Sequence, residues 1–213
     1  MTNMKKILIV LTLGALVVFG YFFFTQKETS NITNYDSSSI PSSPNIVMIG
    51  DSLVAGYGAQ EGNSLSTQLG ALVGQSILNL GVSGNTTGDV FARIDKVPAD
   101  TYLTIVIAGG NDVLRRVSEE ETIVNMRAII AHLQGEGSIV AIASVKSSFF
   151  GEGSLTQKYE DLAKEKGVIY LGSILSDVYD DDSLMSDNIH PNDMGYAIIA
   201  KHIATGIESY TRK

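Results

Sequence analysis

Ser52, Asp187 and His190 are the side chains of this chain best suited to chemistry, and each sits in a short block with distinctive neighbours. The blocks are Gly50-Asp51-Ser52-Leu53, Gly81-Val82-Ser83-Gly84-Asn85, Gly109-Gly110-Asn111-Asp112 and Asp187-Asn188-Ile189-His190-Pro191. A serine hydroxyl is a weak nucleophile until a base removes its proton. Of the 3 histidines, only His190 has a loop carboxylate three residues before it. From that position Asp187 can fold back onto imidazole Nδ1 and leave Nε2 facing a serine. His132 and His202 fall in helical patterns and read as surface or capping residues. Gly84 and Asn111 are candidate donors to an oxyanion, because glycine lets its N–H approach a substrate closely and an asparagine amide is a neutral donor. The Ser52 N–H is the third candidate donor. Taken singly, each residue has a plainer reading. Ser52 and Asn111 could cap helices, Gly84 could be a turn glycine, and His190 could cap the helix after Pro191. Together and in this order, they are the parts of an acyl-transfer site. Asp51 and Asp112 read as structural acids that hold loops and cap helices.

Such parts need strands to carry them. Ile46-Val47-Met48-Ile49 is a short apolar run ending at Gly50, which suits a buried strand. Further strands are expected over Ser76–Leu80, Tyr102–Ala108, Ile139–Ala143 and Val168–Leu171. Helical patterns lie between them. Thr86-Thr87-Gly88-Asp89 and Ser118-Glu119-Glu120-Glu121 resemble capping boxes, opening helices expected to reach Lys96 and His132. Others are expected over Ser64–Val73, Leu155–Lys166 and Pro191–Ser209, with Pro191 in the first turn of the last. Strands alternating with helices predict an α/β fold with a parallel sheet covered on both faces. In such sheets ligands bind at the carboxyl ends of the strands. Ser52, Gly84 and Asn111 each follow one of the first three strands.

The chain has 213 residues and a formal charge of -8, enough length for one sizeable core. No basic stripe is present, which argues against nucleic acid as a partner. There are 0 cysteines, so disulfides, thiolate metal sites and lipid attachment through cysteine are excluded. No cofactor motif appears: there is no phosphate-binding P-loop, and the Asp180-Asp181-Asp182 run matches no EF-hand and reads as a solvated acidic loop. Lys5 and Lys6 precede an uncharged apolar run, Ile7–Phe24, of the minimum length to span a membrane. Residues 1–25 are therefore expected to be an N-terminal membrane anchor with the rest of the chain outside the cytoplasm. A signal segment cleaved before Tyr21 is the alternative. Residues 26–44, rich in Ser, Thr and Asn, are expected to form a flexible linker, with a formal glycosylation sequon at Asn31-Ile32-Thr33. Residues 45–213 are the expected folded domain.

At these blocks the chain resembles the SGNH, or GDSL, hydrolases, and most closely their bacterial thioesterase/lysophospholipase (arylesterase-like) group. The resemblance spans Asn45 to about Ile207 and is carried most specifically by Gly50-Asp51-Ser52-Leu53-Val54-Ala55-Gly56-Tyr57-Gly58 and Asn79-Leu80-Gly81-Val82-Ser83-Gly84-Asn85-Thr86. It implies a three-layer α/β/α sandwich around a mostly parallel five-stranded, flavodoxin-like sheet. It also implies metal-independent ester hydrolysis, with Ser52, Asp187 and His190 catalytic and Ser52, Gly84 and Asn111 forming the oxyanion hole. Two positions depart from the pattern. Val54 replaces the usual Ser or Thr, which bears on substrate preference. Asn188 replaces the usual Gly, and asparagine tolerates a left-handed backbone. The expected substrates are lysophospholipid, short-chain or aryl esters, thioesters among them, cleaved through an acyl-enzyme on Ser52. The alternatives are an O-acetyl esterase on cell-wall or surface polysaccharide, an acyltransferase using the same residues, or a non-catalytic ligand-binding module.

Overall fold

The computed structural model describes residues 40–42, 44–145 and 154–211. In chain order its elements are β1 (Ile46–Gly50), α1 (Ser52–Ala55), α2 (Leu65–Val73), β2 (Ile77–Gly81), α3 (Thr87–Phe91), β3 (Leu103–Ile107), α4 (Gly110–Leu114), α5 (Glu119–Gly135), β4 (Ile139–Ser144), α6 (Ser154–Lys166), β5 (Ile169–Ser173) and α7 (Asp193–Gly206). The strands form one sheet in the order β2-β1-β3-β4-β5, with every pairing parallel. This is the flavodoxin-like order, in which the winding reverses between β1 and β3 and opens a crevice at their carboxyl ends.

Alternate strand residues feed two cores, as period-two side chains must. Met48, Ile105 and Ile107 pack with α2 (Leu65, Leu69) and α7 (Tyr196, Ile199, Ile203) on one face. Ile49, Val106 and Ile142 pack with α5 (Met126, Ile129, Ile130) and α6 (Tyr159, Leu162) on the other. The sandwich therefore has three layers. β1 and β3 are buried along their whole length, whereas the edge strand β2 leaves Leu78 exposed.

All five strands lie within a residue or two of the ranges expected from the sequence. The helices differ more. The helix expected from Thr86 to Lys96 ends at Phe91 and resumes as a single 3-10 turn at Ile94–Lys96. Between them Arg93 takes non-helical angles, φ −123° and ψ 19°, to place its guanidinium against the strand ends. Pro191 is not in the first turn of α7. Asn192 caps that helix, its side chain accepting the N–H groups of Met194 and Gly195; Pro191 stands one residue earlier, bridged to Met185. At α5, Ser118 accepts the Glu121 N–H, and at α3 the full reciprocal box of Thr86 and Asp89 forms.

The folded body begins before Asn45. Ile40 and Pro44 are both buried, so the last residues of the expected linker pack onto it. Among the described residues no helix is long and apolar enough to cross a membrane. The run Ile7–Phe24, the sequon and most of residues 26–44 lie outside the described residues.

The tightest point in the sheet is Gly50, where a Cβ would lie 1.9 Å from the Ile107 carbonyl oxygen. Overpacking of this kind costs about 1–3 kcal/mol. Gly50→Ala is expected to lower the melting temperature by about 2 °C or more, measured by calorimetry. An unchanged transition would show that β1 and β3 can part at this end without cost.

Candidate active site

β1 ends at Gly50, and the chain turns at once into α1 with Asp51 as its cap, the Asp51 carboxylate accepting the Leu53 N–H at 3.0 Å. Ser52 is thereby the first helical residue, presented at the mouth of the crevice. Asn79 on β2 steadies this turn from the side. Its amide donates to the Val54 carbonyl at 2.7 Å and to Ser66 Oγ at 2.9 Å, and its oxygen accepts the Gly81 N–H.

The loop before α7 delivers the imidazole of His190. Asp187 Oδ1 accepts the N–H groups of Ile189 and His190, both at 2.8 Å, which curls the loop so that the imidazole faces its own carboxylate. His190 Nδ1 lies 2.8 Å from Asp187 Oδ2, and His190 Nε2 lies 3.0 Å from Ser52 Oγ. The His190 carbonyl accepts bonds from the Ser186 N–H and hydroxyl. The three residues thus form one continuous chain of hydrogen bonds. Asn188 does not use a left-handed conformation: among the described non-glycine residues only Arg116 has a positive φ. The Asp187 side chain closes the loop without one. Burial works against the Asp187 charge, but the hydrogen bonds from Ile189 N–H, the His190 ring and His190 N–H outweigh it and hold the carboxyl below the ordinary range.

Asn111, after β3, reaches the loop after β2 that carries Gly84, although Gly84 itself does not line the pocket around Ser52. Gly84 has φ +83°, a conformation that favours glycine, and its carbonyl accepts Arg115 Nη2 at 2.7 Å. Asn111 lies in α4, and its amide donates to the Asn85 carbonyl at 3.0 Å, so one amide hydrogen is engaged with the loop carrying Gly84. Asp112 is fully buried and accepts the Thr87 N–H, the Thr87 hydroxyl and the Thr122 hydroxyl. It ties α4 to α3 and α5, the structural part expected of it.

Ser52, Asn111 and His190 line one pocket with Asp51, Leu53, Gly110, Leu114, Val145 and Ile189. Val54 is not among them. It is fully buried in the core, so its departure from the family pattern is a packing difference and does not touch substrate. His202 bonds the Leu171 carbonyl at 2.6 Å, and His132 lies 3.6 Å from Asp95. Asp181 accepts the Ser183 N–H and hydroxyl. No cluster of three or more His, Asp or Glu side chains among the described residues is placed to hold a metal ion.

Five contributors to the site escaped the sequence reading. The Tyr57 ring lies against His190, with centroids 4.4 Å apart and planes at 48°. The Tyr57 loop is fastened to α7, where Asp193 accepts the Gln60 N–H and the Asn63 amide, and the Tyr196 hydroxyl donates to the Tyr57 carbonyl at 2.8 Å. Arg93 and Arg115 bond the loops around Gly84. Only Tyr57 lay inside a quoted motif; the others sit in helices or at their ends, where no local pattern distinguishes them.

A parallel sheet of this order with a serine, a histidine and an aspartate aligned at its switch point defines a carboxylic ester hydrolase of the SGNH type. A model of the GDSL-like lipase/acylhydrolase family matches residues 48–198, and the chain belongs to that family. Among solved structures, that of TesA is similar with a TM-score of 0.73 at 19% identity, covering 78% of this chain and 99% of that one. The psychrotrophic esterase EstA from Pseudoalteromonas sp., inhibited by monoethylphosphonate, gives a TM-score of 0.69 at 20% identity, covering 79% and 98%. AlinE4, an SGNH-hydrolase family esterase, gives 0.63 at 28% identity, covering 80% and 95%. No curated protein is a significant match to the chain.

The buried Asp51 makes stability depend on pH. Burial pushes its carboxyl up to about 7, with the nearby Asp112 charge adding and the Leu53 N–H opposing. In the unfolded chain the same group loses its proton near 3.8. Folding between those values must therefore retain a proton that the unfolded chain releases. The native state is unpenalised below the lower value and loses stability as pH rises towards the higher one. Asp51→Asn keeps an acceptor for Leu53 and removes the titration. Its melting temperature should exceed that of the wild type at about pH 8, with the gap closing by about pH 4. Parallel curves for the two proteins would assign the pH dependence elsewhere.

Proposed function

We propose that the protein hydrolyses carboxylic esters through an acyl-enzyme on Ser52. The observation that carries this reading is the alignment Ser52 Oγ, His190 Nε2, His190 Nδ1, Asp187 Oδ2, with both links within hydrogen-bond distance. Ser52 Oγ attacks the ester carbonyl carbon as His190 Nε2 takes the hydroxyl proton. The carbonyl oxygen becomes an oxyanion and is held by the N–H groups of Ser52 and Gly84 and the free amide hydrogen of Asn111. Collapse of this intermediate breaks the bond to the alkoxy oxygen, which leaves as the alcohol with the proton from His190. A water, deprotonated by His190, then attacks the acyl carbon and releases the acid and Ser52. Ionised Asp187 favours the charged imidazolium that forms in both halves and fixes which nitrogen faces Ser52.

The exposed side chains at the crevice favour an apolar acyl group. Leu114 lines the pocket, Val82 precedes Gly84 by two residues, Tyr57 backs His190, and all three are more than two-fifths exposed. We therefore favour lysophospholipid, medium-chain or aryl esters over acetate. We also infer, from Lys5, Lys6 and the apolar run Ile7–Phe24, that the hydrolase acts outside the cytoplasm as a membrane-tethered enzyme.

The test is hydrolysis of p-nitrophenyl esters from two to sixteen carbons by the full-length chain beside Ser52→Ala. Ser52→Ala is expected to lower kcat by about a thousandfold or more, and the wild-type profile should peak at chains longer than acetate. Activity on acetate alone would move the assignment to an O-acetyl esterase. A wild type inert on every ester and unlabelled by a fluorophosphonate would overturn the hydrolase mechanism. Membrane fractionation of expressing cells should find the activity in alkali-washed membranes; a soluble form beginning at Tyr21 would show a cleaved leader instead.

A further inference from the structure

Arg93 is half-buried and places three N–H groups on three acceptors from separate segments. Nη2 donates to the Gly50 carbonyl at 2.7 Å, Nη1 to the Leu80 carbonyl at 2.8 Å and Nε to Asn85 Oδ1 at 2.7 Å. Gly50 ends β1 two residues before Ser52. Leu80 lies near the end of β2. Asn85 directly follows Gly84, and its carbonyl accepts the Asn111 amide. One guanidinium therefore touches the turn that presents the nucleophile and the loop that carries one oxyanion donor, and it reaches the other donor through a single residue.

None of these acceptors is a carboxylate. Asp89 supports the Arg93 charge at longer range, but its own ion pair, at 3.7 Å, is with Arg115. A cation spent on two main-chain carbonyls and an amide, with no salt bridge among the described residues, is not arranged as a surface charge pair. It is arranged as a bracket. Arginine suits this because its planar fork projects donors in several fixed directions, which lysine's single ammonium and glutamine's amide do not. The Gly50 carbonyl also accepts the Val82 N–H at 3.0 Å, so Arg93 completes an acceptor already shared between β1 and the loop after β2. The break in helix geometry at Arg93 is the local cost of reaching these groups.

We propose that Arg93 is a positioning residue for ester hydrolysis, holding the Ser52 turn and the Gly84–Asn85 loop at the mutual distance at which nucleophile and oxyanion donors act on one carbonyl. The inference rests on the serine-hydrolase reading above. Because the donors tighten on the oxyanion and not on the ground-state ester, loss of the bracket acts on turnover and leaves substrate binding alone.

The experiment compares full-length wild type, Arg93→Ala, Arg93→Lys and Asn85→Ala, recording melting temperature, kcat and KM on a p-nitrophenyl ester, and the rate of Ser52 labelling by a fluorophosphonate. Arg93→Ala is expected to lower kcat about tenfold or more with KM within about twofold, and to slow labelling in parallel. Added methylguanidine should restore part of the kcat of Arg93→Ala but not of Arg93→Lys. Asn85→Ala, which cuts one arm of the bracket, should fall between. If Arg93→Ala does not fold, Arg93→Lys decides: a folded lysine variant with wild-type kcat overturns the proposal. So does a folded Arg93→Ala whose loss is confined to KM, or one with undiminished turnover. An inert, unlabelled wild type would bring down the hydrolase reading and this inference with it, whereas an active wild type beside indifferent Arg93 variants brings down this inference alone.

Discussion

β1 and β3 meet at their carboxyl ends with no room for a side chain, and the geometry of the crevice depends on that contact. Gly50 lies against the Ile107 carbonyl, Asp51 N–H bonds the same carbonyl at 3.2 Å, and Val82 N–H bonds the Gly50 carbonyl at 3.0 Å. Parallel pairing puts Gly50 level with both Gly81 and Ile107. Three chain segments therefore leave the sheet at one height, each about 5 Å from its neighbour. Side chains one to four residues further on have only one place to converge. A one-residue slip of any strand would turn its apolar residues to the wrong face, so the two cores that fix the register also fix the crevice.

Buried acids beside the crevice illustrate how partners decide the behaviour of the same functional group. Asp112 is enclosed yet has three donors, from Thr87 and Thr122, and burying a polar group is tolerable when it is satisfied in this way. Asp51 is comparably enclosed, with the Leu53 N–H as its named donor and another acid nearby. Burial therefore pushes its carboxyl up to about 7. The first acid braces three helices. The second caps one short turn and keeps a neutral hydrogen-bonding group next to the serine over much of the pH range.

Most of the scaffold was legible in the sequence because buried parallel strands are runs of apolar residues bounded by glycine, and Ile46–Gly50 or Leu103–Ile107 have little other interpretation. The serine, histidine and aspartate were legible for a different reason: each stands in a loop block whose neighbours also have defined work. What escaped was long-range. Arg93 looks like any arginine within a helical pattern, and its three acceptors lie 8, 13 and 43 residues away. Asp193 looks like a residue of the first helical turn, while its partners lie 130 and 133 residues away. The Val54 departure was readable as a substitution but not as a buried one, because the face that α1 turns to the core is set by α2 and β2 and not by its own four residues. The Asn188 departure was open in the same way, since the Asp187 side chain, and not a left-handed residue, closes that loop.

Ser52 and His190 are 138 residues apart in the chain, and the loop that carries the histidine is fastened by α7, close to the last described residue. During synthesis Ser52 emerges long before His190 exists. Ser52 meets His190 only when the segment carrying α7 packs on α2 and engages the Tyr57 loop through Asp193 and Tyr196. Contacts of such large sequence separation are the slow part of folding. A chain without the segment before α7 therefore carries Ser52 without the imidazole that hydrogen-bonds it.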